Sequence, residues 1–429
     1  MKSMLYNLLV LCSFIGHSQT ELKTITPEEY NLWSTLSHEN ISPDGNWFTY
    51  KLTYTSADTI FVQNTKSKLK HPFPLAKEGI FSQNNRFFLV TDKLKGTAFL
   101  NLKTGNVLRY SNTIRQQFFL DGKYASILET GKELKIVELA TQKTHTVPNV
   151  LDYTISKDGK IAILTKGKID IVIPNDRYTT KSITIDSTGV FQKFLWSSDG
   201  TTFAFLQQHP KGKKTNLIYY YNFTSHILKI LDPLTTPKLS SQTVVNGFSP
   251  LVVSDNGDKV YFYYAGKPQQ LGQDVVEIWD ALSPLEYPRQ IFQGNPDSIP
   301  KLASWNPEND SIVFIGTNQS PKVILNANRK FAISYNTLVY EPQAEYRGPA
   351  DYFITNLQTG TSHLILKNQT TNDGFTGNSP QGGYFHYFKE GNWWVYDFNK
   401  NTHLNLTKGL DTNFLDLDND YPDPSYGYI

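Results

Sequence analysis

"ENISPDGNWFTYKLTY", Glu39 to Tyr54, places a polar turn, Ser42-Pro43-Asp44-Gly45, directly before an aromatic run that alternates outward and inward positions. An Asp side chain in such a turn bonds its own backbone two residues on, and Gly takes the positive φ that a Cβ disfavours. A run of period two reads as a half-buried strand. The stretch is therefore a strand, a tight turn and a second strand, and its value lies in how often it returns.

Variants recur along the chain: "FSQNNRFFLV" (Phe81 to Val90), "FLDGKYASIL" (Phe119 to Leu128), "ISKDGKIAIL" (Ile155 to Leu164) and "WSSDGTTFAFL" (Trp196 to Leu206). "VSDNGDKVYFYY" (Val253 to Tyr264), "WNPENDSIVFI" (Trp305 to Ile315) and "NSPQGGYFHYF" (Asn378 to Phe388) continue the series. The early intervals are about 40 residues and the later ones are longer, as loop insertions would make them. A second turn follows several of these by about 20 residues, at Thr104-Gly105, Thr141-Gln142, Thr224-Ser225, Thr359-Gly360 and Lys400-Asn401. The two turns link three strands, and the connection to the next unit supplies a fourth. The expected fold is all-β: a β-propeller of four-stranded blades, about seven or eight of them. A β-sandwich array is the rival, but it needs no fixed pair of turns per unit. "TPEEYNLW" adds a capping box, with Thr26 as cap, Pro27 in the first turn and Glu29 three residues on, and predicts a short helix near 26–36. "VVEIWDALSPLEYP" (Val275 to Pro288) reads as either strand or insertion.

Charge is balanced, with 41 Lys and Arg against 39 Asp and Glu. No basic stripe is present to draw a phosphate backbone, so nucleic acid is not an expected partner. The first 18 residues differ from the rest. "MKSMLYNLLVLCSFIGHS" has Lys2, an apolar run from Met4 to Ile15, and small residues at Gly16 and Ser18. That is the pattern of a secretory signal peptide, residues 1–18, too short to span a bilayer; a buried N-terminal helix is the alternative. Cys12 is the sole cysteine, and Leu11 stands where a lipoprotein signal needs a small residue. The mature propeller, residues 19–429, would then lack disulfides, a thiol nucleophile and any Cys-ligated metal. It is expected in the periplasm or outside the cell, with no membrane span.

Catalytic and cofactor motifs are not found. None of the nine histidines sits in a His-Glu-x-x-His spacing. "GFSPL" (Gly247 to Leu251) and "GNSPQ" (Gly377 to Gln381) come nearest to the Gly-x-Ser-x-Gly elbow, but both lack the second Gly, and Ser379 lies in a blade turn. No phosphate-binding Gly loop appears. "LDLDNDYPDP" (Leu415 to Pro424) carries Asp416, Asp418, Asp420 and Asp423. Tyr421 and Gly427 occupy the positions where an EF-hand loop needs Gly and Glu, which leaves a looser calcium site or a solvated loop. No metal, cofactor or catalytic residue is assigned.

Three passages carry a family likeness: "YNLWSTLSHENISPDGNWFTYKL", "DYFITNLQTGTSHLIL" and "GNWWVYDFNKNTHLNLTKGLDTNFLDLDNDYPDPSYGYI". Over roughly Thr26 to Ile429 the chain resembles the N-terminal propeller of the prolyl oligopeptidase family of serine peptidases, in its exported, Bacteroidetes-type members. The resemblance implies a propeller that restricts entry to a C-terminal α/β-hydrolase domain, so that peptides or loose chains reach the nucleophile. The hydrolase is absent from this sequence and no triad position has a match. The implied role is the substrate-gating part of an exported peptidase, truncated before its catalytic domain and not hydrolytic alone. Glu341, Glu345 and Asp351 lie in an insertion that could face a site for a peptide's free amino group. The alternative is a stand-alone TolB-like propeller that binds a protein, peptide or glycan.

Overall fold

The computed structural model describes residues 26–429, apart from 56, 93, 95, 176–177, 185–189, 210–214, 240–241, 245–250, 267–281, 288, 291–294, 344–346, 413, 417–424 and 427–429. The proposed signal peptide, most of 275–288, Glu345, and Asp418, Asp420 and Asp423 lie outside the described residues. Among the described residues no helix is long and apolar enough to cross a membrane.

The described chain is all-β and forms eight antiparallel meander sheets in sequence order, the blades of a propeller. It divides into two compact units, Met1–Val150 and Leu151–Ile429. The first unit holds three blades. Blade 1 is Ser34–Ile41, Trp47–Tyr54, Asp58–Asn64 and Lys70–Pro74; blade 2 is Ala76–Phe81, Phe87–Asp92, Thr97–Asn101 and Val107–Tyr110; blade 3 is Thr113–Phe119, Tyr124–Glu129, Leu134–Glu138 and Lys143–Val147. The second unit holds five. Blade 4 is Asp152–Ile155, Ile161–Thr165, Lys168–Ile173 and Thr179–Thr184; blade 5 is Phe191–Trp196, Thr202–Gln208, Asn216–Asn222 and Ile227–Leu231. Blade 6 is Gln242–Val244 with the short Val252–Val253, then Val260–Gly266, Lys301–Asn306 and Ser311–Phe314. Blade 7 is Lys322–Leu325, Phe331–Tyr335, Pro349–Asn356 and Ser362–Thr370; blade 8 is Thr376–Asn378, Tyr384–Lys389, Asn392–Asp397 and Thr402–Asn405. A two-stranded hairpin, Leu415–Asp416 with Ser425–Tyr426, follows.

The helix is shorter than its capping box predicts. It is one 3-10 stretch, Pro27–Leu32, and Ser34 already pairs with Tyr54 in blade 1. Backbone pairing to a strand decides the state of residues 34–36 over the local helical signal.

Each blade carries two turns at the same end, because a meander returns to one end after every second strand, and in most blades their chemistry is the same. The entry turn joins strands one and two. In blade 5, Ser197 Oγ donates to Asp199 Oδ1 (2.5 Å) and accepts from Thr202 N (3.1 Å), while Gly200 sits at φ 68°. Blade 1 repeats this: Ser42 Oγ donates to Asp44 Oδ1 (2.7 Å) and accepts from Trp47 N (3.0 Å). The exit turn joins strands three and four. Asn101 Oδ1 accepts from Lys103 N and Thr104 N at 3.0 and 3.1 Å, Asn356 Oδ1 does the same for Gln358 N and Thr359 N, and Gly105 and Gly360 take positive φ. A further hairpin joins strands two and three at the opposite end, so three hairpins, not two, build each blade.

One assignment of the repeat is corrected. "WNPENDSIVFI" spans the third and fourth strands of blade 6 and is an exit turn: Asn306 Oδ1 accepts from Glu308 N (2.9 Å). Blade 7's entry turn is Asn326-Ala327-Asn328-Arg329, with no Ser and no Gly. Asn326 Oδ1 accepts from Phe331 N (3.0 Å), Asn326 Nδ2 donates to Asn328 Oδ1 (2.8 Å), and Arg329 takes φ 55°. An amide thus makes both bonds that the Ser hydroxyl makes elsewhere.

Entry turns also tie successive blades within each unit. Asp44 N donates to Asn85 Oδ1 (3.1 Å), and Asn84 N to Asp121 O (2.9 Å). In the second unit Lys160 Nζ reaches Gly200 O (3.2 Å), Ser198 Oγ reaches Asp255 Oδ1 (2.7 Å), Arg329 pairs with Asp255, and Asn326 Nδ2 donates to Gly382 O (2.8 Å).

The core lies between blades. One cluster joins blades 1 and 2 through Val62, Phe73, Phe88 and Leu100; another joins blades 4 and 5 through Ile169, Ile171, Phe203 and Phe205. Middle strands bury both faces and so read as continuous apolar runs, as in Ile161–Thr165. Outer strands such as Lys143–Val147 stay largely polar and exposed.

Candidate functional site

Loops at the end opposite the entry turns vary most. Residues 166–167 and 390–391 suffice between strands two and three of blades 4 and 8, whereas blades 6 and 7 insert 267–300 and 336–348 there. Long, internally bonded loops on a rigid scaffold are where binding groups concentrate.

The blade 7 insertion folds on itself. Asn336 Oδ1 accepts from Leu338 N (2.9 Å), and Glu341 Oε2 accepts from Gln343 N (3.2 Å). The Gln343 amide packs over Gly348, where an added Cβ would meet its Nε2 at 2.5 Å. The Gly348 carbonyl accepts from Thr371 Oγ1 (2.9 Å), which fastens the loop's far end to the connection into blade 8.

Glu341 is the hub. Its side chain is 3 % exposed, and Arg289 Nη2 from the blade 6 insertion donates to its Oε1 at 2.5 Å. Burial alone would raise the Glu341 pKa; the bonds from Arg289 and Gln343 outweigh it and hold the carboxyl below its usual value. The second acid, Asp351, accepts from Tyr340 OH (2.6 Å) and from Asn368 N (3.0 Å). The Asp351 carboxylate accepting from the Tyr340 phenol raises the phenol's pKa. Arg347 faces Asp373 at 3.8 Å, and both are well exposed. Behind them Tyr335 and Tyr352 stack at 4.8 Å.

The blade 6 insertion is closed at its neck. Lys301, only 3 % exposed, donates to the carbonyls of Pro296 (2.6 Å) and Ile299 (3.0 Å). Its burial lowers its pKa. Asp297 packs against Gly266 at the loop's start and accepts from Asn318 Nδ2 (2.7 Å).

Of the acids placed in the insertion from sequence, Glu341 is built into it, whereas Asp351 lies in the following strand, Pro349–Asn356, and neither is held open. Glu341 and Asp351 each have internal donors, and Glu345 is not described. Ser379 is a turn serine, its Oγ accepting from Tyr384 N (3.0 Å) in the entry turn of blade 8; Ser249 lies outside the described residues. Among the described residues no group of three or more His, Cys, Asp or Glu is placed to hold a metal. Arg289, Tyr340 and Gln343 were not singled out by sequence. The stretched repeat interval did mark their neighbourhood.

The site therefore gathers guanidinium and phenol groups on a tyrosine floor, each already paired with a carboxylate: Arg289 with Glu341, Arg347 with Asp373 and Tyr340 with Asp351. Such groups bind main-chain carbonyls and carboxylates. No family model and no curated protein matches the sequence. Solved structures do resemble the chain. A eukaryotic initiation factor is 13 % identical with a TM-score of 0.48, covering 86 % of this chain and 88 % of that one. The tricorn protease is 9 % identical with a TM-score of 0.33, covering 86 % of this chain and 43 % of its own. The β-propeller domain of the Trilobed protease from Pyrococcus furiosus is 14 % identical with a TM-score of 0.32, covering 80 % and 99 %.

Proposed function

We propose that this propeller is the substrate-selecting part of an exported serine peptidase of the prolyl oligopeptidase type, and that it engages extended peptide at the insertion-bearing end of blades 6 and 7. The observation that carries the binding site is the Arg289–Glu341 bond, which joins the longest connections of two successive blades into one surface. The peptidase assignment rests on the three resembling passages, and export rests on the signal-like residues 1–18.

The purified chain is expected to bind peptides without cleaving them. A photo-crosslinking peptide mixture should label residues 336–356, while peptide amides are not turned over and a serine-directed covalent probe labels nothing. Labelling of any serine would overturn the non-hydrolytic reading. Labelling confined to the entry-turn end would overturn the site.

A second reading is a stand-alone binding propeller. Capture of Glu341 by Arg289 favours it, because a carboxylate so engaged is a poor receptor for a peptide's free amino group. Peptides with free and acetylated amino termini separate the two: equal binding supports the stand-alone module, and preference for the free amine supports the peptidase propeller.

A further inference from the structure

A second site lies in the first unit, independent of the blade 6–7 reading. A cavity of about 400 Å³ opens between blades 1 and 2. Its floor is Phe73, Ala76, Val90 and Ala98, all buried members of one core cluster, so here the core itself reaches the surface. The strand register puts Val90, Ala98 and Arg109 in one row across blade 2, which brings Arg109 to the face that carries the floor.

Two charged groups line the cavity and they differ in kind. Asp92 belongs to its own turn: Oδ1 accepts from Leu94 N (2.8 Å) and Gly96 N (2.7 Å). Arg109 is exposed and lies 6.0 Å over the Phe73 ring. Among the described residues its guanidinium makes no hydrogen bond and no ion pair. A guanidinium beside an aromatic face leaves its edge donors to the solvent side, in a fork that matches a carboxylate. The Asp92 charge on the same wall disfavours a dianionic phosphate. The apolar floor selects what is attached to the carboxylate.

We propose that this cavity binds an apolar group bearing a single carboxylate, as at the C-terminal residue of a peptide. The apolar side chain sits on Phe73, Val90 and Ala98, and the carboxylate accepts from Arg109.

The test is a titration of the full chain with N-acetyl-L-phenylalanine and with its amide, followed by ligand-detected NMR and hydrogen exchange. The acid should saturate at a Kd on the order of millimolar, as one shallow site gives, and the amide should bind about tenfold or more weakly. Exchange should slow in peptides covering 87–92 and 107–111. Arg109→Gln should abolish the preference for the acid without changing the melting temperature, and Arg109→Lys should keep part of it. Equal binding of acid and amide, binding unaltered in Arg109→Gln, protection elsewhere, or no saturation would each overturn the proposal.

Discussion

Replacing Asn326 tests whether the entry turn both closes its hairpin and ties neighbouring blades. Asn326 is 2 % exposed and makes three bonds: Oδ1 from Phe331 N, Nδ2 to Asn328 Oδ1, and Nδ2 to Gly382 O in blade 8. Asn326→Ala removes all three and leaves the Phe331 N–H and the Gly382 carbonyl without this partner. At about 1 kcal/mol per bond, and somewhat more for an orphaned buried donor, the loss is about 3 kcal/mol. Asn326→Ser places a hydroxyl where six other blades already have one. It can accept from Phe331 N and donate to Asn328, as Ser82 does to Asn84 at 2.7 Å, but it cannot also reach Gly382. Its cost is expected to be about 1 kcal/mol, the value of the inter-blade bond alone. Urea unfolding followed by tryptophan fluorescence gives the two differences, and hydrogen exchange over 326–335 and 379–389 locates them. The serine variant should loosen blade 8's turn while sparing blade 7's. Equal losses for Ser and Ala, or losses below about 0.5 kcal/mol for both, would show that the Asn326 side chain does not join the two blades.

Four further outcomes are expected. Asp44 is held below its usual pKa chiefly by the Ser42 hydroxyl. For Asp158 and Asp199, burial pushes up but is outweighed by bonds from Lys160 and Ser156, and from Ser197 and Thr201, respectively. A depressed carboxyl stabilises the fold fully above its unfolded pKa, near 3.8, and that contribution is lost as pH falls through the folded value. Urea midpoints should therefore be level with respect to these groups above about pH 5 and drop below about pH 4, less steeply when Ser42, Ser156 and Ser197 are all Ala. Gly257→Ala forces a Cβ to within 2.3 Å of Thr202 Oγ1 at φ 73°, whereas Gly45→Ala at φ 69° meets nothing; thermal unfolding should show the first to be clearly worse, the second costing about 1 kcal/mol. Arg289→Ala leaves the buried Glu341 carboxylate without its cation. Since Arg289 is itself 37 % exposed, the loss is discounted to about 1–2 kcal/mol, and it should appear as faster proteolysis within 336–348. Phe205→Ala, at a site with no solvent exposure between blades 4 and 5, should cost about 3–5 kcal/mol by denaturant titration.

The blades were legible because their turns are local chemistry. Asn, Asp, Ser and Gly close a bend with atoms a few residues apart, so Ser42-Pro43-Asp44-Gly45 and Asn101 to Gly105 announce themselves. The same economy produced the misreading at Asn306. Both turn types bond an Asx oxygen to an amide two residues on, and the further side-chain bond from an amide four or five residues on, as from Lys160 N to Ser156 Oγ or Trp47 N to Ser42 Oγ, marks an entry turn. Asn326 escaped notice because an amide can replace a hydroxyl, and Arg329 shows that positive φ does not require Gly. The site was less legible. Its defining bond joins Arg289 and Glu341 across 52 positions, and no local signal says which guanidinium reaches which acid. Insertion lengths pointed to the neighbourhood; the pairing needed the fold. That pairing also turned Glu341 from a candidate receptor into a fixed part of the scaffold.

Whether blades 6 and 7 carry the binding surface is tested most directly by crosslinking the intact chain to photoreactive peptides and mapping the attachment points. Attachment is expected within 336–356, with labelling reduced in Arg289→Ala once the insertion loosens. Attachment that avoids this stretch, or that is indifferent to Arg289, would contradict it.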